Sequence, residues 1–287
     1  MNLVTYASAG EFLNTISNLL QSDEARFGLI YGIARRVEDN PHYYGKEDPW
    51  FATVGEGTDI SAIAWRTPPF PVGFAWNKGN PEKVVPPLVE AVNRRWPELT
   101  GAAGHREITD PFARYWCESY HIEIQSTMAQ RIYSLTTVND ISPASGRIRL
   151  AATLDRELII TWIQAFYTDI YGKVPGNLPV TTIADRTDEG DIFLWEDGHN
   201  PVSMTIKGRP TEHSVAITTV YTPPEFRRHG YATTCVAAMC REILDNGYDF
   251  CTLYTDLSNP TSNSIYMKIG FRTVCDSVEY TFGKPSV

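Results

Sequence analysis

The stretch Val220-Tyr221-Thr222-Pro223-Pro224-Glu225-Phe226-Arg227-Arg228-His229-Gly230-Tyr231-Ala232 has the residue types of an anion-binding turn. A strand-like segment ends near Thr222, the prolines turn the chain, and helical spacing begins near Tyr231. The first amides of a helix have no intrahelical acceptor, and the macrodipole makes that end positive. Such an end attracts anions, phosphate above all. Gly230 lets the backbone bend tightly and approach a bulky diphosphate, while Ala232 keeps the first turn uncrowded. Arg227 and Arg228 add cationic charge to an acidic chain. Taken alone, the same residues also describe a surface turn with solvated arginines. The pattern lacks the G-K-[ST] ending of a Walker loop and is not G-x-G-x-x-G.

A second stretch, Asn259-Pro260-Thr261-Ser262-Asn263-Ser264-Ile265-Tyr266-Met267-Lys268-Ile269-Gly270-Phe271, reads as a helix with both ends marked. Asn259 and Pro260 start it, Gly270 stops it, and Phe271 packs back. Ser262 and Tyr266 share a helical face. A tyrosine placed there is ordinarily a core aromatic whose hydroxyl finds a surface partner.

Together the two stretches resemble the GNAT superfamily of acyl-coenzyme A N-acyltransferases. The first matches its diphosphate loop, (Q/R)-x-x-G-x-(G/A), through Arg227, Gly230 and Ala232. The second matches the N-x-x-(A/S)-x-x-x-Y-x-x-x-G-F signature of its last helix, through Asn259, Ser262, Tyr266, Gly270 and Phe271. The resemblance covers roughly Arg147 to Gly283.

It implies an α/β mixed sheet of the GNAT fold, splayed open at the strand before the loop. Backbone groups of Val220 and Thr222 would hold the pantetheine arm of acetyl-CoA. The amides of Arg228, His229, Gly230, Tyr231, Ala232 and Thr233 would hold the diphosphate, and Asn259 would contact the coenzyme. Tyr266 would be the general acid that protonates the departing thiolate. The implied activity is direct N-acetyl transfer to an amine of a small molecule or peptide, with acetyl-CoA as co-substrate, no metal and no acyl-enzyme. A non-catalytic acyl-CoA sensor is the alternative. It draws on one departure from the family pattern, since the strand Val215 to Tyr221 carries no carboxylate to serve as base. Glu212, His213 and Glu225 flank that strand, and the base stays open among them, a water chain and an amine that arrives deprotonated.

The elements that must position these residues divide near the middle of the chain. Asn139 to Gly146 is rich in turn formers and separates two mixed helix-and-strand regions, expected as domains 1–140 and 146–287. In the second, a hairpin across Glu196 to Pro201 precedes strand Val215 to Tyr221, helix Tyr231 to Asn246, strand Phe250 to Tyr254, helix Pro260 to Ile269 and a last strand Val278 to Phe282. The first repeats this element order without the motifs, which predicts a degenerate second copy. Thr67-Pro68-Pro69-Phe70 echoes Thr222-Pro223-Pro224, and the helix carrying Trp116 stands where that of Tyr266 does. The aromatics Tyr43, Tyr44, Trp50, Phe70, Phe74 and Trp76 either line a cleft or serve as core and interdomain packing.

The 287 residues carry a net charge of −9, with 43% hydrophobic and 21% charged residues. That composition builds a globular core and argues against a general nucleic-acid surface, which needs clustered cations. The negative surface mildly favours a cationic acceptor. No run reaches the roughly eighteen apolar residues of a membrane span, and the N-terminus lacks the pattern of a signal peptide. With five cysteines in no metal-binding spacing, a cytoplasmic location with reduced thiols is expected.

Overall fold

Alternating apolar residues build the strands, and apolar stripes of helical period build the helices that cover them. The computed structural model describes residues 1–176 and 180–284, in two compact units. Of the described residues, the first unit comprises 1–132, 255–258 and 274–284; the second comprises 133–176, 180–254 and 259–273.

The first unit contains β1 (Asn2–Thr5), α1 (Ala9–Ser22), α2 (Glu24–Asp39), β2 (Trp50–Glu56), β3 (Asp59–Arg66), β4 (Val72–Trp76), α3 (Pro81–Arg95), β5 (Gly101–His105), α4 (Arg106–Tyr120) and most of β6 (Ile124–Leu135). Strands β1 to β4 pair in antiparallel succession, and β4 pairs with β5 in parallel. One face buries Phe74, Leu88, Phe112 and Trp116 under α3 and α4; the other buries Phe12, Ile30, Phe51 and Ile63 under α1 and α2.

The second unit contains β7 (Arg147–Leu150), α5 (Arg156–Tyr171), α6 (Val180–Asp185), β8 (Ile192–Asp197), β9 (Asn200–Gly208), β10 (Ser214–Tyr221), α7 (Tyr231–Asp245), most of β11 (Phe250–Asp256) and α8 (Pro260–Ile269). Strands β7 to β10 are antiparallel neighbours, and β10 pairs with β11 in parallel. Val215, Ile217, Val236, Met239, Leu253 and Tyr266 form the core on one face. Trp162, Leu194, Met204 and Tyr221 form it on the other. The order strand–strand–strand–helix–strand–helix thus occurs once in each unit, as β2 to α4 and as β8 to α8.

The last strand, β12, runs over Arg272–Phe282, longer than expected, and from Val274 it belongs to the first unit. It pairs antiparallel with β5, from Ser277 opposite His105 to Thr281 opposite Gly101. A Cβ on Gly101 would stand 2.5 Å from the Tyr280 carbonyl oxygen, so glycine permits this close approach. Alternation within a strand specifies which residues face the core, not which strand it joins. The segment 139–146 is a loop, as expected, with Ile141 buried in the second unit's core.

One finer expectation does not hold. Thr67 to Phe70 leads into β4, whereas Thr222 to Pro224 follows β10, so the two echoing segments are not equivalent in position. Of the aromatics expected to line a cleft or to pack, Trp50, Phe74 and Trp76 are core residues; Trp116, on the helix that matches α8 in element order, is fully buried beside Phe112 and Phe282.

Candidate active site

The site begins where two strands part. β10 and β11 pair from Ser214 opposite Phe250 to Ile217 opposite Leu253, and their register ends there. Just beyond, β10 bulges against β9: Thr218 faces Ile206, but the next pair is Tyr221 with Met204. Thr219 takes up the extra residue with φ +48°. Such a bulge bends a strand and re-aims its end. The expected splay therefore has a local cause that no residue pattern announces. Ser203 secures the bent end, its hydroxyl lying 3.2 Å from the Tyr221 carbonyl and 2.8 Å from Thr222 Oγ1. Val220 and Thr222 are half-buried there.

The loop that follows is built around left-handed residues. A 3-10 turn spans Pro224–Phe226, Arg228 has φ +68°, and Gly230 has φ +82°. A Cβ on Gly230 would meet only the Ala144 Cβ, at 3.8 Å, so conformation rather than space calls for glycine. α7 starts at Tyr231 with no side-chain cap and no acidic residue in its first turn. Its opening amides, of Tyr231, Ala232 and Thr233, remain for an external anion.

Arg228 is exposed and, among the described residues, makes no ion pair. Arg227 does something else. Its Nε donates to the Thr222 carbonyl over 2.9 Å, and its Nη2 pairs with Asp169 of α5 at 2.6 Å. That guanidinium fastens the loop across its own turn. His229 stacks on Tyr231, ring centroids 5.6 Å apart. The Tyr231 hydroxyl donates to Asp197 over 2.5 Å, and Ser145 donates to the same carboxylate oxygen over 2.7 Å. These bonds hold the Asp197 carboxyl below its usual range, and the bond to Asp197 raises the Tyr231 phenol.

On α8, the Asn259 side-chain oxygen accepts from the Ser262 amide at 3.0 Å, capping the helix. Its amide group is the part left to touch a ligand. Asn263 donates to the Asn259 carbonyl at 2.7 Å and accepts from the Tyr133 hydroxyl at 3.2 Å, bracing the helix entrance. Tyr266 is 8% exposed and packs edge-on to Phe271. Burial, with Cys240 nearby, pushes its phenol above the ordinary tyrosine range, so it stays protonated. The cysteines are free thiols, and burial lifts Cys235 to about 12.

The structure narrows the flanking candidates for a base. Glu212 and His213 lie exposed before the first residue of β10, while the bulge lies at its far end. At about 3.3 Å per residue they are some 20 Å from Thr219. Glu225 alone sits on the loop side, exposed on the 3-10 turn. Asp169 and the bulge at Thr219 have no sequence signature. One lies in a distant helix, and the other is a backbone conformation.

The corresponding positions of the first unit are closed. Asn80 caps α3 by accepting from the Glu82 amide at 2.9 Å, Pro81 has no N–H, and Glu82 puts a negative charge in the first turn. His105, at the end of β5, is 3% exposed; its Nδ1 accepts from the Trp76 amide at 3.0 Å, and its Nε2 lies 3.0 Å from the Arg26 carbonyl. Burial, reinforced by the Arg26 cation, lowers its pKa to about 4. The unfolded chain takes up this proton near pH 6.5 and the folded chain does not, so stability falls as pH drops from 6.5 toward 4. The expected loss from this residue is about 3 kcal/mol at pH 4. Urea unfolding at pH 7 and 4.5 should show a smaller pH-dependent loss in His105→Asn than in the native chain.

Comparison with known proteins agrees with this architecture. Residues 202–280 match the family described as FR47-like protein. A solved Drosophila malonogaster protein is similar at a TM-score of 0.70 and 14% identity, over 99% of both chains. A GCN5-related N-acetyltransferase from Sphaerobacter thermophilus is similar at 0.62 and 13% identity, over 99% of this chain and 97% of that one. A tandem GNAT protein from the clavulanic acid biosynthesis pathway is similar at 0.52 and 10% identity, over 100% and 99%. No curated protein matches. The chain therefore has the GNAT fold, with its strand–helix order repeated in two units.

Proposed function

We propose that the second unit is an acetyl-CoA-dependent N-acetyltransferase acting on an amine of a small molecule or peptide. The observation that carries this is the uncapped, acid-free start of α7 behind left-handed Gly230, beside the point where β10 and β11 part. The site suits a diphosphate. Its donors are backbone amides at a positive helix end, and exposed Arg228 is a cation without an ion pair among the described residues. When bound, acetyl-CoA supplies an acyl group already activated as a thioester.

The protein's own part is positional and electrostatic. Arg228 and the amides of His229, Gly230, Tyr231, Ala232 and Thr233 hold the anion, and the Asn259 amide group adds a contact. Val220 and Thr222 offer the bent strand end as an edge for an extended chain, with Thr222 retaining a carbonyl lone pair beyond the Arg227 bond. A β10 amide aimed at the acyl oxygen would stabilise charge as it develops there. Tyr266, kept protonated by burial, donates its proton to the leaving sulfur. Transfer is direct, so no cysteine acts as nucleophile.

Incubation with acetyl-CoA and a panel of amines should release free thiol with at least one of them. Coenzyme binding without thiol release across the panel would identify a sensor instead. Among the described residues there is no cluster suited to a metal ion and no helix long and apolar enough to cross a membrane. We place the reaction in the cytoplasm, where acetyl-CoA and amines meet.

A further inference from the structure

The stretch of the first unit that corresponds to the parted strands is the end of β4. Its parallel pairing with β5 stops at Phe74 opposite Gly104, which leaves Ala75 and Trp76 beyond it. Both backbone polar groups of Trp76 are engaged by side chains of this same unit. The amide donates to His105 Nδ1 over 3.0 Å, and the carbonyl accepts from Arg26 Nε over 3.1 Å. The two side chains are themselves tied together. His105 Nε2 lies 3.0 Å from the Arg26 carbonyl, and Arg26 Nη2 pairs with Glu107 at 2.6 Å. Phe27 closes over the imidazole, ring centroids 5.8 Å apart.

We infer that the coenzyme groove of the first unit is sealed from within. His105 and Arg26 make the two backbone hydrogen bonds that an extended ligand would otherwise make, and the second unit alone takes up acyl-CoA. The location of uptake rests on the function proposed above; the seal itself does not. A ligand entering the first groove would have to break a buried hydrogen bond to His105 and a charge-assisted one to Arg26, leaving polar groups unpaired. Beyond them it would meet an α3 start capped by Asn80 and made negative by Glu82. The seal is the counterpart of the missing motifs: the groove is filled by side chains, not merely without a phosphate loop.

Two measurements test this. Amide hydrogen exchange should show Trp76 strongly protected in the native chain. His105→Ala should speed its exchange about 10- to 100-fold, the factor for one lost buried hydrogen bond. His105→Asn, which restores an acceptor near the Nδ1 position, should recover most of the protection. Calorimetry with acetyl-CoA should give one equivalent for the native chain and none for Gly230→Glu, with Trp76 exchange unchanged by the coenzyme. A Trp76 amide that exchanges freely in the native chain overturns the seal, as does equal protection in His105→Ala. Two equivalents of coenzyme, or one that persists in Gly230→Glu and slows exchange at Trp76, also overturn it. No heat from the native chain, with Trp76 protected, would remove the second-unit reading and leave the seal standing. If His105→Ala does not fold, native-chain exchange and stoichiometry decide the matter.

Discussion

Gly230→Glu is expected to abolish acetyl-CoA binding while the protein stays folded. The substitution puts a carboxylate at the start of α7, where the opening amides are uncapped and the dipole is positive. The new carboxylate would compete for those amides and repel a diphosphate, and each charge-assisted bond lost costs about 1.5–3 kcal/mol. Loss of binding by at least about 100-fold follows, because more than one such bond is at stake. Folding should survive, since the only atom near a new Cβ is that of Ala144 at 3.8 Å. The left-handed φ of +82° adds roughly 1–2 kcal/mol of strain for any residue with a side chain. Gly230→Ala carries that strain without the charge and should weaken binding by only about tenfold. Calorimetry on both variants, with thermal unfolding as the control, separates charge from conformation. Native-like affinity in Gly230→Glu would place the diphosphate elsewhere.

Tyr266→Phe is expected to lower turnover by about 100-fold or more, the usual range for loss of a positioned acid, with little change in coenzyme affinity. The ring lies in the core against Phe271, and phenylalanine keeps that packing, so the variant removes one hydroxyl and little else. Burial raises the native phenol above its ordinary range. On the proposed function, the native chain should therefore keep its turnover as pH rises through 10, where an exposed tyrosine would begin to ionise. Steady-state kinetics between pH 7 and 10.5 check both points. An unchanged rate in the variant would make Tyr266 a core residue and move the proton donor elsewhere.

Much of the second unit was legible before any coordinates. Helix α8 spans Pro260–Ile269, as Asn259-Pro260 and Gly270 indicate, and α7 begins at Tyr231 after Gly230. Those signals are local: a cap, a fixed φ and a left-handed stop act within a few residues. The short strand β5 carries no such local signal, because Gly101-Ala102-Ala103-Gly104-His105 offers no apolar alternation to read. Its strand conformation is held by β4 on one side and β12 on the other.

The site divides along the same line. Residue types and spacing mark Gly230 and Ala232 at one helix start and Asn259 and Tyr266 on another helix, since helix ends and faces follow from short-range geometry. The resemblance to the GNAT superfamily is what joins them into one expected site. Three features depended on residues remote in sequence coming together: the parting of β10 from β11, the tie from Arg227 to Asp169, and the closing of β4 by Arg26 and His105. A backbone amide bonds whatever acceptor the folded chain brings within about 3 Å, and no pattern along the chain encodes that distance.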